Sequence, residues 1–422
     1  MTTERLPNGM RVHLVPFAGT DAVSLLVLVK VGSRHEDDAV WGGSHFIEHL
    51  MFKGTTKRPA TVDISRELDR YGAEYNAYTG KDLTGYWVKI DAKRAATAID
   101  LLSDMLLNSK FDAKEMAREK GVIIEEIKMY EENPIMHVED LLEDAMFEGH
   151  ILGKNIAGTA ESMTAMKRAD VLRYRDAYYA PDRMVVVMAG NVPKNAMALI
   201  KKSFGTAKKR KAGPESPLYA RKVTKGPRVR LQTKPLQQIQ VALGFETVGR
   251  GHADNEAIKL LASILGGTMS SRLFIEVRER RGLCYTVRAA VDSYDDVGTF
   301  VIRAGLDASR LKLAMDVIVK EVKKIAAHGV TKEELAMAKD HVRGGLMLRL
   351  EDSSERAEFF GRQSLFFNEV IGPEDRLKQF DAVTVADVAR VAKQILDMKA
   401  MSIAAIGPYK NAKQLLAQFP TL

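Results

Sequence analysis

At 422 residues, with 46% of them apolar, the chain is long enough for two domains of about 200 residues each, and its lone cysteine, Cys284, excludes an internal disulfide framework and suits a reducing compartment. The 63 Lys and Arg exceed the 55 Asp and Glu by a formal charge of +8. The densest basic cluster, Lys208-Lys209-Arg210-Lys211, runs into Ala212-Gly213-Pro214-Glu215-Ser216-Pro217, a solvated-linker composition without zinc-finger spacing, RNA-binding aromatics or a phosphate loop, so no nucleic-acid partner is expected. The strongest apolar run, 25–31, is too short to span a bilayer and contains Lys30, and the start has no apolar signal region; the expectation is a soluble, cytoplasmic protein with no membrane partner.

A strand over 10–15, opened by the Asn8-Gly9 turn, and an apolar strand over 23–31 lead into His45-Phe46-Ile47-Glu48-His49. On a helix the two imidazoles sit one turn apart on one face, where their nitrogens can converge on one ion. Glu48 is close enough to act on a group bound there without being a ligand. This is the order H-x-x-E-H, the inverse of H-E-x-x-H; an amphipathic helix carrying two histidines by chance would read the same. Asn76-Ala77-Tyr78-Thr79, after the Gly72 turn, reads either as an ordinary strand tip or as an edge strand to which an extended peptide could add. Residues 95–107 form a long amphipathic helix. Residues 119–130 form another, with Glu119 and Glu126 on one face and Glu125 about 100° away. A catalytic zinc needs a third protein ligand beside an open position, and this helix is the best source of one, although periodicity alone also allows ordinary surface glutamates.

The two halves repeat each other. Asp170-Val171 leads through a helix to the apolar strand 183–190, and Asp387-Val388 leads to 400–407; the same spacing separates Asp170 from Asp387 and Gly190 from Gly407. An apolar strand over 239–245 matches 23–31, but the next helix carries Asn255-Glu256-Ala257-Ile258-Lys259-Leu260-Leu261 in place of the histidine motif. Further on, a basic helix containing Arg278 ends at Gly282, a plausible C-terminal cap, before a strand that begins near Leu283 and buries Cys284. A long amphipathic helix covers 332–350. Short strands alternating with long helices indicate an α+β fold, two homologous domains each with helices packed on one face of a mostly antiparallel sheet. The domains are expected at 1–205 and 228–422, joined by a linker over 206–227.

Four segments in order resemble the pitrilysin-type inverzincin peptidases, the family of insulin-degrading enzyme and the mitochondrial processing peptidase. They are Gly42-Gly43-Ser44-His45-Phe46-Ile47-Glu48-His49-Leu50-Met51-Phe52-Lys53-Gly54-Thr55, then Asn76-Ala77-Tyr78-Thr79, then 119–130, then Ser271-Arg272-Leu273-Phe274-Ile275-Glu276-Val277-Arg278-Glu279-Arg280-Arg281-Gly282-Leu283-Cys284-Tyr285. The likeness covers nearly the whole chain. It implies one Zn2+ per chain on His45, His49 and Glu126, with Glu126 selected over Glu125. It also implies Glu48 as general base and Glu119 as the carboxylate that orients a ligating histidine. Arg278 and Tyr285 would be brought to the active site from a different domain as donors to the oxyanion, and Asn76, Ala77 and Tyr78 would bind the substrate strand.

In that family four such domains form a clamshell around a peptide, of which a chain of this length supplies half, so a homodimer, or a heterodimer with a related subunit, is expected. The reading is a zinc endopeptidase hydrolysing short or unfolded peptides. Two alternatives accompany it. A presequence-processing peptidase would read arginine with an acidic pair after the third ligand; Asp140 is the nearest match to one member, and Met136 holds the other position. A non-catalytic scaffold subunit of the same fold would have lost part of the metal set, which is complete here.

Overall fold

Six strands, β1 (Thr2–Arg5), β2 (Arg11–Pro16), β3 (Ala22–Val29), β4 (Glu74–Thr79), β5 (Thr84–Asp91) and β6 (Met184–Gly190), form one sheet in the order β1-β2-β6-β3-β5-β4. Five more, β7 (Arg228–Thr233), β8 (Gln238–Val248), β9 (Cys284–Ser293), β10 (Val297–Asp307) and β11 (Ser402–Gly407), form a second in the order β7-β11-β8-β10-β9. Each contains a single parallel pair, β2 with β6 and β7 with β11, and is otherwise antiparallel. This computed structural model describes residues 1–221, 226–367 and 369–420, so 222–225 of the expected linker lie outside the described residues.

The duplication is visible in the topology. β6 and β11 occupy the same place, parallel to one neighbour and antiparallel to the next apolar strand, β3 or β8. Expected helices lie at Ala95–Asn108, Ala113–Glu132 and Lys332–Arg349. The first hairpin adds β1, which the sequence reading did not include, because Thr2–Arg5 is short and mostly exposed and has no apolar alternation. Among the described residues no helix is long and apolar enough to cross a membrane.

Among the described residues, each sheet has the expected helical layer on one face and a single further helix on the other. In β3, Leu25, Val27 and Val29 enter the main core of the first unit, whereas Leu26 and Leu28 point to the opposite face with Val185, Val187 and Ala189 of β6. That second face is covered by the helix Ser353–Phe366 through Ala357, Phe360 and Leu365. Gly361 lets the helix approach closely, since a Cβ there would lie 2.9 Å from Leu28 Cδ1. In the second sheet the corresponding cover is the helix Pro134–Met146, whose Val138, Leu142 and Met146 pack on Ala242, Ala404 and Ile406. Here the glycine is on the strand: a Cβ at Gly244 would lie 2.4 Å from Met146 Sδ.

The compact units are therefore not divided simply at 206–227. The first comprises Met1–Lys128, Asn155–Pro217 and Leu346–Ile371, and the second Met129–Lys154, Leu218–Gly345 and Gly372–Leu422. The departure from the 1–205 and 228–422 division has a physical cause. A strand as continuously apolar as β3 must be buried on both faces, and each half of the chain sends one helix to the unit that the other half mainly builds.

His13 on β2 ties the covering helix to the first sheet, with Nε2 2.7 Å from Ser364 Oγ and Nδ1 2.9 Å from Thr3 Oγ1. Burial, helped by the charge of Arg11, lowers its pKa from 6.5 to about 4. An unfolded chain therefore protonates His13 as pH falls past 6.5 while the folded chain does not. The associated stability is present above that pH and is lost as pH falls through about 4, on the order of 3 kcal/mol in all. In denaturant titrations, His13→Asn should lose correspondingly less stability between pH 6.5 and 4 than the parent does.

Candidate metal centre

The helix Gly43–Met51 has two opposed stripes. Phe46, Ile47, Leu50 and Met51 are buried in the core of the first unit, which turns His45, Glu48 and His49 to the other side. The helix Ala113–Glu132 is held in the same core by Met116, Ile123 and Ile127, and Glu119 and Glu126 flank that apolar stripe.

These two helices bring three metal-binding side chains together. His45 Nε2 and His49 Nε2 are 3.2 Å apart, and Glu126 Oε2 lies 3.7 Å from the first and 3.5 Å from the second. Ligand atoms about 2.0–2.2 Å from one tetrahedral zinc are separated by roughly 3.3–3.6 Å, so this donor set fits the ion. Among the described residues it is the only group of three or more His, Cys, Asp or Glu whose ligand atoms all lie within 4.8 Å of one another. Glu125 is turned away and pairs with Lys128 at 2.7 Å.

The surroundings prepare the donors. His49 Nδ1–H donates to Glu119 Oε1 at 2.8 Å, which leaves Nε2 with its lone pair toward the cluster. Lys53 Nζ holds the other oxygen of Glu119 at 2.7 Å. Burial works against the charge of Glu119, but the hydrogen bonds from His49 and Lys53 outweigh it and hold the carboxyl below its usual range. Burial, with the neighbouring His49, lowers the His45 pKa to about 4, which keeps that ring neutral and able to coordinate. Its Nδ1 is buried without a hydrogen-bond partner among the described residues.

Glu48 accepts a hydrogen bond from Thr79 Oγ1 at 2.5 Å on Oε2. Burial raises its pKa, against the Thr79 hydrogen bond and the nearby His49, and the negative charge of Glu126 adds to the rise. Lys53 and Thr79 were not singled out by the sequence reading although both stand in the quoted motifs. Nothing local marks a lysine or threonine as a neighbour of a carboxylate brought from elsewhere in the chain.

Among the described residues, β4 is an edge strand of the first sheet, paired only with β5. Asn76 is exposed, and its Oδ1 accepts the main-chain N–H of Ala77 at 2.9 Å. Ala77 and Thr79 face the core and metal side, while Tyr78 faces the opposite side. Its ring lies over the cross-strand Gly85, where a Cβ would be 2.4 Å from Tyr78 Cζ. The phenol donates to Glu358, 2.6 Å from Oε1 and 2.7 Å from Oε2, and Glu358 also pairs with Arg362. Of the three residues expected to meet a peptide, Tyr78 thus has its side chain committed elsewhere, and only its main chain is left at the strand edge.

Arg278 and Tyr285 belong to the second unit, and the fold brings them together. Arg278 lies on a π-helical turn, Phe274–Glu279, and its guanidinium carbon is 4.7 Å from the Phe274 ring centre and 5.1 Å from that of Tyr285. Gly282, at φ 57°, ends this segment as expected, with its N–H on Arg278 O at 2.8 Å. Tyr285 is 73% exposed. Cys284 is half-buried against the second core, and burial raises its pKa to about 11, which makes it an unreactive filler.

Two family profiles match the chain: Insulinase (Peptidase family M16) over residues 11–160 and Peptidase M16 inactive domain over 165–342. An uncharacterized zinc protease of Mycobacterium tuberculosis is 37% identical, with 98% of this chain and 94% of that protein aligned. The uncharacterized zinc protease YmxG of Bacillus subtilis is 35% identical over 96% of this chain and 97% of its own length. Among solved structures, a protease from Helicobacter pylori superposes with a TM-score of 0.89 at 25% identity, covering 96% of this chain and 99% of the other. A Pseudomonas fluorescens structure described as a peptidase M16 inactive domain shares the fold, with a TM-score of 0.87 at 22% identity over 97% of this chain and 98% of the other.

The orientation of Tyr78 can be tested directly. Tyr78→Phe deprives Glu358 of a charge-assisted hydrogen bond and should cost about 1.5–3 kcal/mol in urea unfolding. Zinc affinity, measured in the same preparation, should not change, because the phenol lies on the face of β4 opposite Thr79 and Glu48.

Proposed function

Because the chain belongs to peptidase family M16, we propose that it is a zinc-dependent endopeptidase acting on short or unfolded peptides. The observation that carries the reading is the convergence of His45, His49 and Glu126 at separations suited to one tetrahedral ion, with the Glu48 carboxylate beside them. In this reading His45, His49 and Glu126 hold one zinc per chain, which when bound polarises a peptide carbonyl and lowers the pKa of water to about 7.

The remaining chemistry falls to the chain's own groups. Glu48 takes the proton of the attacking water and returns it to the leaving amine. A carboxyl raised by burial is the stronger base for that task, and Thr79 steadies one oxygen while the other is left for the proton. Glu119 keeps His49 in the tautomer that presents Nε2. A substrate adds to the open edge of β4, where the Asn76 side chain gives up the Ala77 N–H to the incoming strand. Arg278 and Tyr285 supply donors to the carbonyl oxygen as it gains charge.

A preference for arginine near the cut is less well supported. Asp140 lies 3.6 Å from His137 Nδ1, and Glu139 and Asp144 of the same helix are paired with Arg303 and Arg230. Glu139 and Asp144 are thus committed to arginines of their own unit, and Met136, at the position that would complete a pair with Asp140, carries no charge for an arginine to meet.

Glu48→Gln keeps the shape of the site and removes the base. We expect one zinc per chain to remain by metal analysis, while hydrolysis of a fluorogenic peptide is abolished. Near-normal turnover, or loss of the metal, would reject the assignment of Glu48.

The active form in this reading is a homodimer with composite sites, in which the zinc set of one chain faces Arg278 and Tyr285 of the other. The support is that a closed chamber in this family takes four such domains and this chain has two. Tyr285→Phe should retain zinc and cost on the order of 10² to 10³ in turnover. Mixing Glu48→Gln chains with Tyr285→Phe chains should restore part of the activity, since some mixed dimers hold one intact site. No recovery, with subunit exchange demonstrated by differently tagged chains, would place both sets of residues in one chain.

A further inference from the structure

The helix that carries His45 and His49 starts without a capping side chain of its own. Its N-cap is Gly42, in the left-handed conformation at φ 90°, where a Cβ would lie 2.5 Å from Ala157 O. The N–H groups at a helix start still need acceptors. Two of them are met by a residue outside the helix: Glu36 accepts Gly42 N–H on Oε2 and Ser44 N–H on Oε1, both at 2.8 Å. Glu36 is only 8% exposed. The hydroxyl of Ser44 is held in turn by Tyr174, 2.9 Å away, which donates to Gly32 O at 3.1 Å.

The segment that contains Glu36 is fixed at its other end to the β4–β5 turn. Ser33 N–H and Arg34 N–H donate to Gly80 O and Lys81 O at 3.1 and 3.0 Å, and the buried Arg34 pairs with Asp82 at 3.2 Å. A Cβ at Gly32 would lie 2.2 Å from Gly80 O, so only glycine allows this approach. One five-residue stretch therefore braces both the first turn of the histidine helix and the end of the strand whose Thr79 hydroxyl holds Glu48.

The duplicated unit separates what the fold needs from what the site needs. Its helix at the matching place, Asn255–Ala262, has no side-chain cap; the carboxylate of its N-cap residue, Asp254, pairs with Arg390 instead. A carboxylate clamp is thus not required to build this helix on this sheet, and it occurs on the helix that carries the histidines.

We propose that Glu36 is a positioning residue for the metal centre, clamping the first turn of the helix Gly43–Met51 so that the His45 imidazole is held at coordinating distance from His49 and Glu126. The inference rests on the reading of that cluster as a zinc site. Its cost is visible in the side chain itself: burial, opposed by the Ser44 and Gly42 N–H groups, raises the Glu36 pKa to about 7.

The test is zinc affinity by chelator competition, with thermal unfolding measured alongside, for the parent, Glu36→Gln, Glu36→Ala and Thr384→Ala. Thr384 caps the helix Val385–Ile395 of the second unit and serves as a cap-loss control. Glu36→Gln keeps the shape and one acceptor and should weaken zinc binding about fivefold, and Glu36→Ala about 10 to 100-fold. Thr384→Ala should lower the melting temperature yet bind zinc within twofold of the parent. Affinities within twofold for both Glu36 variants, or an equal loss in Thr384→Ala, would overturn the positioning role while leaving the zinc reading intact. A parent protein that binds no zinc would overturn both. Should Glu36→Ala not fold, the near-isosteric Glu36→Gln decides.

Discussion

The candidate centre depends on one packing constraint: the helix Gly43–Met51 must seat Phe46, Ile47, Leu50 and Met51 in a core that leaves them no solvent exposure. A core at that density does not let the helix rotate or slide without opening cavities, each costly. Since the polar residues stand on the opposite side of the same cylinder, whatever fixes the apolar stripe also fixes His45, Glu48 and His49. The helix Ala113–Glu132 is seated in the same core through Ile123 and Ile127, so Glu126 is positioned by apolar packing as well. What packing leaves free is the helix's first turn, where Glu36 takes the Gly42 and Ser44 N–H groups, and the side-chain rotamers, which Glu119 and Lys53 restrict for His49.

The same demand for burial accounts for the unusual division of the chain. Both faces of β3 and β6 are apolar, and the helices next to them in sequence cover only one. The far face is closed by Ser353–Phe366, and its match in the second unit by Pro134–Met146. These covering helices are fastened by polar groups at their rims: Lys89 with Asp352 and Tyr78 with Glu358 in the first unit, Arg230 with Asp144 and Tyr294 with Glu143 in the second. Neither half of the sequence closes both faces of its own sheet, so the two halves depend on each other for stability whatever their chemistry.

Much of this was legible in the sequence wherever a period carried it. The apolar strands and the helices at 95–107 and 332–350 are legible close to their observed bounds, the helix read at 119–130 starts six residues earlier, at Ala113, and the duplication shows as a shared spacing that the matching places of β6 and β11 bear out. The candidate metal cluster was legible because two of its members sit at i and i+4 and the third lies on a helix with a matching carboxylate face, although choosing Glu126 needed the family likeness. The covering helices were not, because an apolar face shows that something must cover it and not what does. Tyr78 was assigned with its neighbours because it belongs to the same motif, while the two-residue period of a strand turns it away from Ala77 and Thr79. Glu36, Lys53 and Thr79 act through contacts between segments that no local pattern announces.

In the proposed reading, the cluster suits a bound cation better than it suits the stability of the fold. Two imidazole nitrogens facing each other at 3.2 Å, with a carboxylate oxygen 3.5 Å from one and 3.7 Å from the other, cannot all be satisfied by one shared proton. His45 Nδ1 has no hydrogen-bond partner among the described residues, and Glu36 and Glu48 are both carboxyls that burial pushes toward the neutral form. Each of these features costs folding free energy. By contrast, at the matching helix of the second unit, Asn255–Ala262, the N-cap Asp254 pairs with Arg390 and Glu256 pairs with Arg376. In the proposed reading, a cation between the two Nε2 atoms and Glu126 would relieve their mutual crowding, while the costs at His45 Nδ1 and Glu36 would remain. An ion that binds only the folded chain offsets such costs by mass action.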